Sequence, residues 1–245
     1  VAVVGSGPAG LAVADELNHA GCNVTVYESH QHIGGVLRYG IPDFKLEKRI
    51  IDRRIALMEA EGVEFECGVS VGEDISCKYL QNRYDVVCLS GGSRIPRDLD
   101  IPGRELKGIH FAMQFLVQQN KRVSGEEIED VEEISATGKS VLVLGGGDTG
   151  ADCVGTAVRQ GATAIYQYEI MPKPPEERPD STPWPEWPVI LRKSSSQEEG
   201  GERRWCINTK EFKGDAGDLK SVEFVEIEWV KDADGRMSMV EVEGS

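Results

Sequence analysis

The sequence has no closely spaced pair of cysteines, although it contains six cysteines in 245 residues. They are scattered at Cys22, Cys67, Cys77, Cys88, Cys153 and Cys206. A disulfide reductase needs a close cysteine pair, and an iron-sulfur cluster needs several cysteines at short spacing. The pattern argues against both within these residues. We therefore expect buried free thiols and no metal site.

Positive charge is also scarce, because 27 lysines and arginines face 42 acidic residues and the net charge is -15. Proteins that bind nucleic acid neutralise phosphates with basic patches, which this composition does not favour. No apolar run approaches the roughly 20 residues that span a bilayer. The sequence thus predicts no nucleic-acid partner, no membrane partner and a cytoplasmic location.

Glycine, by contrast, is abundant and forms two similar motifs. Residues 1–10 and 141–150 each contain a short apolar strand, then G-x-G-x-x-G and the beginning of a helix. The first glycine permits a tight turn, the second lets a pyrophosphate approach the backbone, and the third allows close helix-strand packing. Two such motifs predict two dinucleotide sites and electron transfer from one dinucleotide to the other.

An acidic residue follows each motif at the end of its second predicted strand. Glu28 follows the first motif and Glu169 follows the second, each at the place where a carboxylate binds ribose hydroxyls. A second glycine turn, Gly34-Gly35, comes soon after Glu28. This turn lets the chain lie against a dinucleotide diphosphate.

Periodicity predicts the elements between the motifs. We expect helices at 45–61 and 110–119, strands at 23–28, 63–67, 84–90 and 164–169, and an antiparallel pair at 222–230 and 236–243 with its turn at 232–235. The acidic run 126–133 is predicted to be solvated. Seven of the eleven prolines lie in 172–188, which predicts a stiff packed loop there, with an SH3 ligand as the less favoured alternative.

Three segments closely resemble the small (beta) subunit of glutamate synthase, namely residues 5–10, 33–46 and 145–153. Residues 169–175, 183–188 and 194–200 resemble it as well, so that the similarity covers nearly the whole chain. The resemblance implies an α/β fold of two Rossmann-like three-layer domains, with the nicotinamide domain inserted into the FAD domain. Residues 1–97 would form the FAD-binding domain, 98–138 a connector and 139–245 the NAD(P)H-binding domain.

The resemblance also implies the residues that bind cofactors. FAD would contact Gly5, Gly7, Ala9, Gly10, Glu28, Gly35, Val36, Leu37, Arg38, Val71 and Gly91, and NADH or NADPH would contact Gly145, Gly147, Asp148, Thr149, Gly150 and Glu169. Val71 would meet the adenine through its backbone. Arg38 would tune the flavin, or form an ordinary salt bridge instead. No catalytic side chain is implied, because the cofactors carry the chemistry.

The implied activity is an NAD(P)H-dependent FAD oxidoreductase. Electrons would continue through iron-sulfur clusters, in parts of the enzyme outside this chain, to the glutamate synthase large subunit or domain, which makes glutamate from glutamine and 2-oxoglutarate. The family's cysteine-rich N-terminal portion and its C-terminal return to the FAD domain are missing, so we expect a fragment. An electron-input module of another flavoprotein, such as a dihydropyrimidine dehydrogenase-like or ferredoxin-linked enzyme, and a non-catalytic nucleotide-binding scaffold remain as alternatives.

The second motif also predicts a preference for NADH. NADPH-using relatives resemble one another in an arginine pair after the second strand, where this chain has Tyr168-Glu169. A carboxylate accepts hydrogen bonds from ribose hydroxyls but repels a 2′-phosphate. Arg178, Arg192 and Lys193 lie downstream, and folding back would let them offset this repulsion.

Overall fold

The computed structural model describes residues 1–128, 131–232 and 234–245 and divides the chain into two compact units. The first unit comprises Val1–Pro96 and Leu116–Val131, and the second comprises Arg97–Phe115 and Glu132–Ser245. The predicted connector 98–138 is thus shared between the two units. The domain boundaries given by the resemblance stay predictions.

The first unit is built around a four-stranded parallel sheet of strand order β3-β2-β1-β4. Its elements in chain order are β1 (Ala2–Val4), α1 (Pro8–His19), β2 (Thr25–Glu28), α2 (Val36–Tyr39), α3 (Lys48–Ala60), β3 (Glu64–Cys67), α4 (Cys77–Arg83) and β4 (Val87–Leu89). Helix α5 (Ala112–Ser124) follows, and the division between the units falls within it.

Helices cover both faces of this sheet. Neighbouring residues of a strand point to opposite faces, so each buried strand has apolar side chains that pack against helices on either side. On one face, Val3 and Val26 pack with Leu11 of α1 and with Met58 of α3. On the other face, the buried cluster consists of Ala2, Tyr27 and Leu80, the last of which belongs to α4. The result is a three-layer arrangement with the carboxyl ends of β1 and β2 at one edge.

The second unit contains two sheets. Its elements are β5 (Ser140–Leu144), α6 (Asp148–Arg159), β6 (Ala164–Glu169), α7 (Ser195–Glu198), β7 (Glu202–Trp205), β8 (Ile207–Asp215), β9 (Asp218–Lys231) and β10 (Met237–Glu241). Strands β5, β6 and β7 form a parallel sheet, and β8, β9 and β10 form an antiparallel one.

Most of the expected elements are present, with shifted ends. Strand β6 has the predicted bounds, the antiparallel pair β9-β10 is confirmed, and 172–188 contains neither helix nor strand. Helices α2, α4 and α7 and strands β7 and β8 were not predicted. Glu129 and Asp130 of the acidic run and Ala233 of the predicted turn lie outside the described residues.

The cysteines differ in part from the expectation. All six lie within the described residues and are free, but Cys67 and Cys77 are exposed and only Cys153 is fully buried. The prediction of buried thiols is therefore wrong for Cys67 and Cys77, which lie at the end of an edge strand and the beginning of a surface helix. Among the described residues, no helix is both long and apolar enough to cross a membrane.

Two neighbouring residues of α3 provide a test of the first core. Met58 is 1% exposed and Leu57 is 46% exposed. We expect Met58→Ala to lower the free energy of unfolding by about 2–5 kcal/mol, because it leaves a cavity beneath the sheet. The matched control Leu57→Ala changes it by less than about 1 kcal/mol. Urea unfolding of both variants measures this, and equal losses would contradict the packing described.

Candidate functional site

The first glycine-rich loop joins β1 to α1, and two of its glycines are required by packing. A Cβ at Gly10 would overlap the carbonyl oxygen of Gly5. Gly5 has a φ of 99°, and a Cβ there would lie 2.5 Å from the carbonyl oxygen of Ser90. These glycines let the loop, α1 and the turn at Gly91 pack closely, with or without a ligand.

Gly7 differs from its neighbours because the protein leaves the space beside it open. Its φ is -66°, which any residue adopts, and no described atom would lie within 4 Å of an added Cβ. Gly7 is also the N-cap of α1, where no described side chain caps the helix and the first turn has no acidic residue. Free backbone N–H groups and the helix dipole at such an end suit a phosphate.

The second loop, between β5 and α6, repeats this division of roles. A Cβ at Gly150 would overlap the carbonyl oxygen of Gly145 and lie 2.8 Å from the side-chain nitrogen of Gln167. At Gly147, the N-cap of α6, the φ is -76° and the space within 4 Å holds no described atom. Asp148 and Thr149 follow as exposed residues at the beginning of the helix. In both loops, packing within the protein thus does not require the middle residue to be glycine.

Glu28 fixes the first loop to the end of β2. Its side chain is buried, and its Oε2 accepts hydrogen bonds from the backbone N–H and the hydroxyl of Ser6, at 3.0 and 2.5 Å. Its Oε1 accepts from the N–H and the ring Nδ1 of His30, both at 2.9 Å, and from the Ser29 hydroxyl at 3.2 Å. Burial raises the pKa of Glu28, but the bonds from His30 and Ser6 outweigh it and hold the pKa below its ordinary value.

Ser6 connects this carboxylate to the second glycine turn. Its fully buried hydroxyl donates to Glu28 and accepts from the N–H of Gly34, at 3.0 Å. Gly35, with a φ of 51°, lies so close that an added Cβ would be 2.8 Å from the Cα of Gly7. Sequence reasoning missed Ser6, although its place between two glycines before a buried acid was a usable signal.

The remaining residues of the predicted FAD site lie around this centre. Ala9 is exposed in the first turn of α1, and Val36 and Leu37 belong to α2. Val71 packs against the cluster on the other face of the sheet. The guanidinium of Arg38 is turned towards α3, where it forms an ion pair with Asp52 and donates to the carbonyl of Ile33 at 2.6 Å. Arg38 therefore forms a salt bridge, which was the alternative to its predicted role beside the flavin.

Glu169 has the same relation to the second loop that Glu28 has to the first. Its Oε2 accepts from the backbone N–H of Gly146, and its Oε1 accepts from the N–H of Met171 at 3.1 Å. The carboxylate at the end of β6 therefore fixes the loop between β5 and α6.

A cavity of about 310 Å³ opens beside this carboxylate. Gly146, Gly147 and Glu169 line it. The rest of the lining consists of apolar residues of 171–174 and 190–191 and of Arg192, Arg203 and Trp205. Sequence reasoning missed Arg203 and Trp205, because the short charged strand β7 gave no alternating apolar pattern.

Of the three downstream cations considered from the sequence, only Arg192 lines this cavity. Arg178 instead donates to the carbonyl groups of Thr182 and Glu186, at 2.8 and 3.0 Å, and so closes the proline-rich loop on itself. Lys193 is exposed.

Two glutamine side chains join the segment that follows Arg192 to the second loop. Gln167, which is buried in β6, donates to the carbonyl of Gly145 at 2.9 Å. Its oxygen accepts from the amide of Gln197 at 2.8 Å, and Gln197 in turn accepts from the N–H of Ser194 at 3.0 Å. This amide relay fixes the segment after Arg192 to the glycine loop.

A surface cluster of Asp15, His19 and Glu61 has ligand atoms within 4.8 Å of one another. Arg54 already pairs with Asp15 at 2.5 Å, and the backbone and carboxylate of Asp15 raise the pKa of His19. We interpret the cluster as an exposed ion-pair network.

The model of one protein family matches residues 1–193, and that family is described as pyridine nucleotide-disulphide oxidoreductase. Over 248 residues, the chain is 52% identical to the "Glutamate synthase [NADPH] small chain" of Mycobacterium tuberculosis. Over 252 residues, it is 47% identical to the "Glutamate synthase [NADH]" of Saccharomyces cerevisiae. The predicted resemblance to the glutamate synthase small subunit is confirmed.

The chain is aligned over its whole length but spans 50% of the mycobacterial relative and 12% of the yeast one. Among solved structures, it is similar to Mycobacterium tuberculosis FprA in complex with NADPH, with a TM-score of 0.73. That likeness covers the whole chain and 67% of FprA at 19% identity. It confirms the predicted α/β fold.

The two kinds of glycine lead to a prediction about stability. Alanine is the better helix former by about 1 kcal/mol, yet we expect Gly10→Ala to lower the free energy of unfolding by about 1–3 kcal/mol, because its Cβ overlaps the Gly5 carbonyl. Gly7→Ala changes it by less than about 0.5 kcal/mol. Denaturant unfolding without added dinucleotide measures both, and a loss at Gly7 as large as that at Gly10 would contradict the open loop.

Proposed function

This chain belongs to the pyridine nucleotide-disulphide oxidoreductase family, and we propose that it is an electron-input module that passes electrons from NADH to FAD for reductive glutamate synthesis. The observation that carries the proposal is the repeated loop geometry. Each loop has an open glycine at a helix N-terminus, at Gly7 and Gly147, and a carboxylate bound to a loop N–H, at Glu28 and Glu169.

We assign FAD to the first loop and the nicotinamide coenzyme to the second. The first has the extra Gly34-Gly35 turn packed on Gly7, which suits a dinucleotide that stays bound. The second opens into the cavity beside Glu169, which suits a coenzyme that enters and leaves. When both are bound, the nicotinamide supplies a hydride that the flavin accepts. The protein holds the two dinucleotides and excludes water.

Glu28 would bind the FAD ribose by exchanging one of its present donors. It accepts five hydrogen bonds, while a carboxylate has about four lone-pair sites. The bonds from Ser6 are buried and belong to the loop. The ring of His30 is 38% exposed and is therefore the donor that a ribose hydroxyl replaces.

The cysteines favour a module that passes its electrons to another protein over a disulfide reductase. All six are free and no two of them lie close together in sequence, so these residues offer no C-x-x-C pair to a bound flavin. The mycobacterial relative is named a small chain, which supports a large subunit as the partner that receives the electrons. The iron-sulfur clusters that would connect the two and the cytoplasmic location stay predictions.

A matched pair of variants tests the two assignments. We expect Gly7→Val to remove FAD, because its side chain fills the space left for the pyrophosphate, and Gly147→Val to keep FAD but lose reduction by NADH. Flavin absorbance of the purified full-length protein, before and after NADH, measures both. A flavin content in Gly7→Val equal to that of the wild type would contradict the FAD assignment. Loss of flavin in Gly147→Val alone would reverse it.

The NADH preference depends on Glu169. Like-charge repulsion between its carboxylate and a 2′-phosphate at about 4 Å is of order 1–4 kcal/mol, which is roughly tenfold discrimination or more. We expect kcat/KM to be higher with NADH, and Glu169→Arg to narrow or invert the ratio. Glu202→Arg, at the other end of the paired strands, is the control and leaves it unchanged. A wild-type preference for NADPH would show this inference to be wrong.

A further inference from the structure

We propose that Arg203 and Trp205 form the adenine subsite of the cavity in the second unit, and that the Arg203 guanidinium decides how strictly a coenzyme with a 2′-phosphate is rejected. The proposal rests on the proposed function, in which the second loop holds the nicotinamide coenzyme. Arg203 would then be a second residue, besides Glu169, that determines the choice between NADH and NADPH.

The strand register places both residues beside the ribose-binding carboxylate. Strand β7 runs parallel to β6, and Trp205 is the direct partner of Glu169. Arg203 lies two residues earlier and therefore on the same face of the sheet as Trp205. Both line the cavity together with Gly147. Ligands of parallel sheets bind at the carboxyl ends of the strands, which is where these residues lie.

The Arg203 side chain is held in place before any ligand arrives. Its guanidinium lies 4.9 Å from the centre of the Trp205 ring and donates to the carbonyl of Arg192 at 3.4 Å. Partial burial lowers the pKa of Arg203, and the negative charge of Glu169 raises it. The group remains a cation at neutral pH, because an arginine stays charged in proteins.

Two other cations lie near the cavity. The guanidinium of Arg192, which also lines the cavity, lies 4.1 Å from the centre of the Trp187 ring. Lys173 pairs with Glu176 at 3.6 Å and lies 5.6 Å from the centre of the Trp205 ring. Of the two described cations over the Trp205 indole, Arg203 is the one that lines the cavity and whose pKa the charge of Glu169 raises.

The chemistry of the adenosine end of the coenzyme fits this arrangement. A purine is flat and stacks on an indole or on the plane of a guanidinium. A guanidinium also presents a fork of N–H donors that matches the oxygens of a phosphate. With NADH, Arg203 offers only its plane, whereas with NADPH it also pairs with the 2′-phosphate. It therefore opposes the repulsion from Glu169.

Two fragments of the coenzyme separate these roles without any need for bound flavin. Calorimetry of the purified protein with 2′,5′-ADP and with 5′-AMP measures binding of the adenosine end alone. We expect Arg203→Gln to weaken 2′,5′-ADP about tenfold or more, since it removes hydrogen bonds to a charged group. Binding of 5′-AMP weakens less than threefold, on the order of one stacking contact.

Arg204→Gln is the matched control. Arg204 is the next residue on β7, points to the opposite face and pairs with Glu202 at 2.7 Å, so we expect both fragments to bind it as they bind the wild type. Trp205→Leu removes the aromatic face and is expected to weaken both fragments alike. Arg203→Lys keeps the charge without the fork and is expected to retain part of the 2′,5′-ADP affinity.

Equal weakening of the two fragments by Arg203→Gln would overturn the specificity role. A loss of 2′,5′-ADP affinity in Arg204→Gln as large as that in Arg203→Gln would overturn it as well. Thermal unfolding of each variant, with an unchanged midpoint, separates a lost contact from a damaged fold. If the wild-type protein binds neither fragment, the failure is that of the proposed nicotinamide site. If it binds both and Arg203→Gln changes nothing, only the present inference fails.

Discussion

The hydrogen bond from a loop N–H to a carboxylate at the end of the second strand is the contact on which both nucleotide loops depend. Glu28 holds the N–H of Ser6, and Glu169 holds that of Gly146. Each bond fixes the turn between strand and helix, so that the next glycine faces open space at the helix N-terminus. Phosphate binding then needs no basic side chain, because fixed backbone donors supply the positive end of the dipole. A chain with a net charge of -15 can thus hold two anionic dinucleotides.

The two units use this common contact differently. In the first, Glu28 is buried, and the Ser6 hydroxyl joins it to the Gly34-Gly35 turn, which packs on Gly7. In the second, the loop borders an open cavity, and an amide relay through Gln167 joins the loop to Gln197. A buried carboxylate tied to a second glycine turn suits a cofactor that stays bound, and a cavity beside the second loop suits one that exchanges. The difference comes from the side chains around each loop, since the glycine motifs themselves are alike.

The sequence alone was sufficient for what local rules determine. Glycine spacing located both loops, and the acid at the end of each second strand identified Glu28 and Glu169. It was insufficient where a long-range partner decides the outcome. Strand β7 is short and charged and forms because it pairs with β6. The sequence pattern therefore did not predict that Arg203 and Trp205 lie at the site. The partner of Arg38 is likewise set by the packing of α3, which brings Asp52 to its guanidinium.

Anaerobic titration of the purified full-length protein with NADH, while the flavin absorbance is followed, measures whether electrons pass from a nicotinamide coenzyme to a flavin held by the same protein. We expect the absorbance to bleach with about one NADH for each flavin, because both are two-electron carriers. A protein that binds flavin and NADH but leaves the flavin oxidised would contradict it, and would leave a nucleotide-binding scaffold as the function.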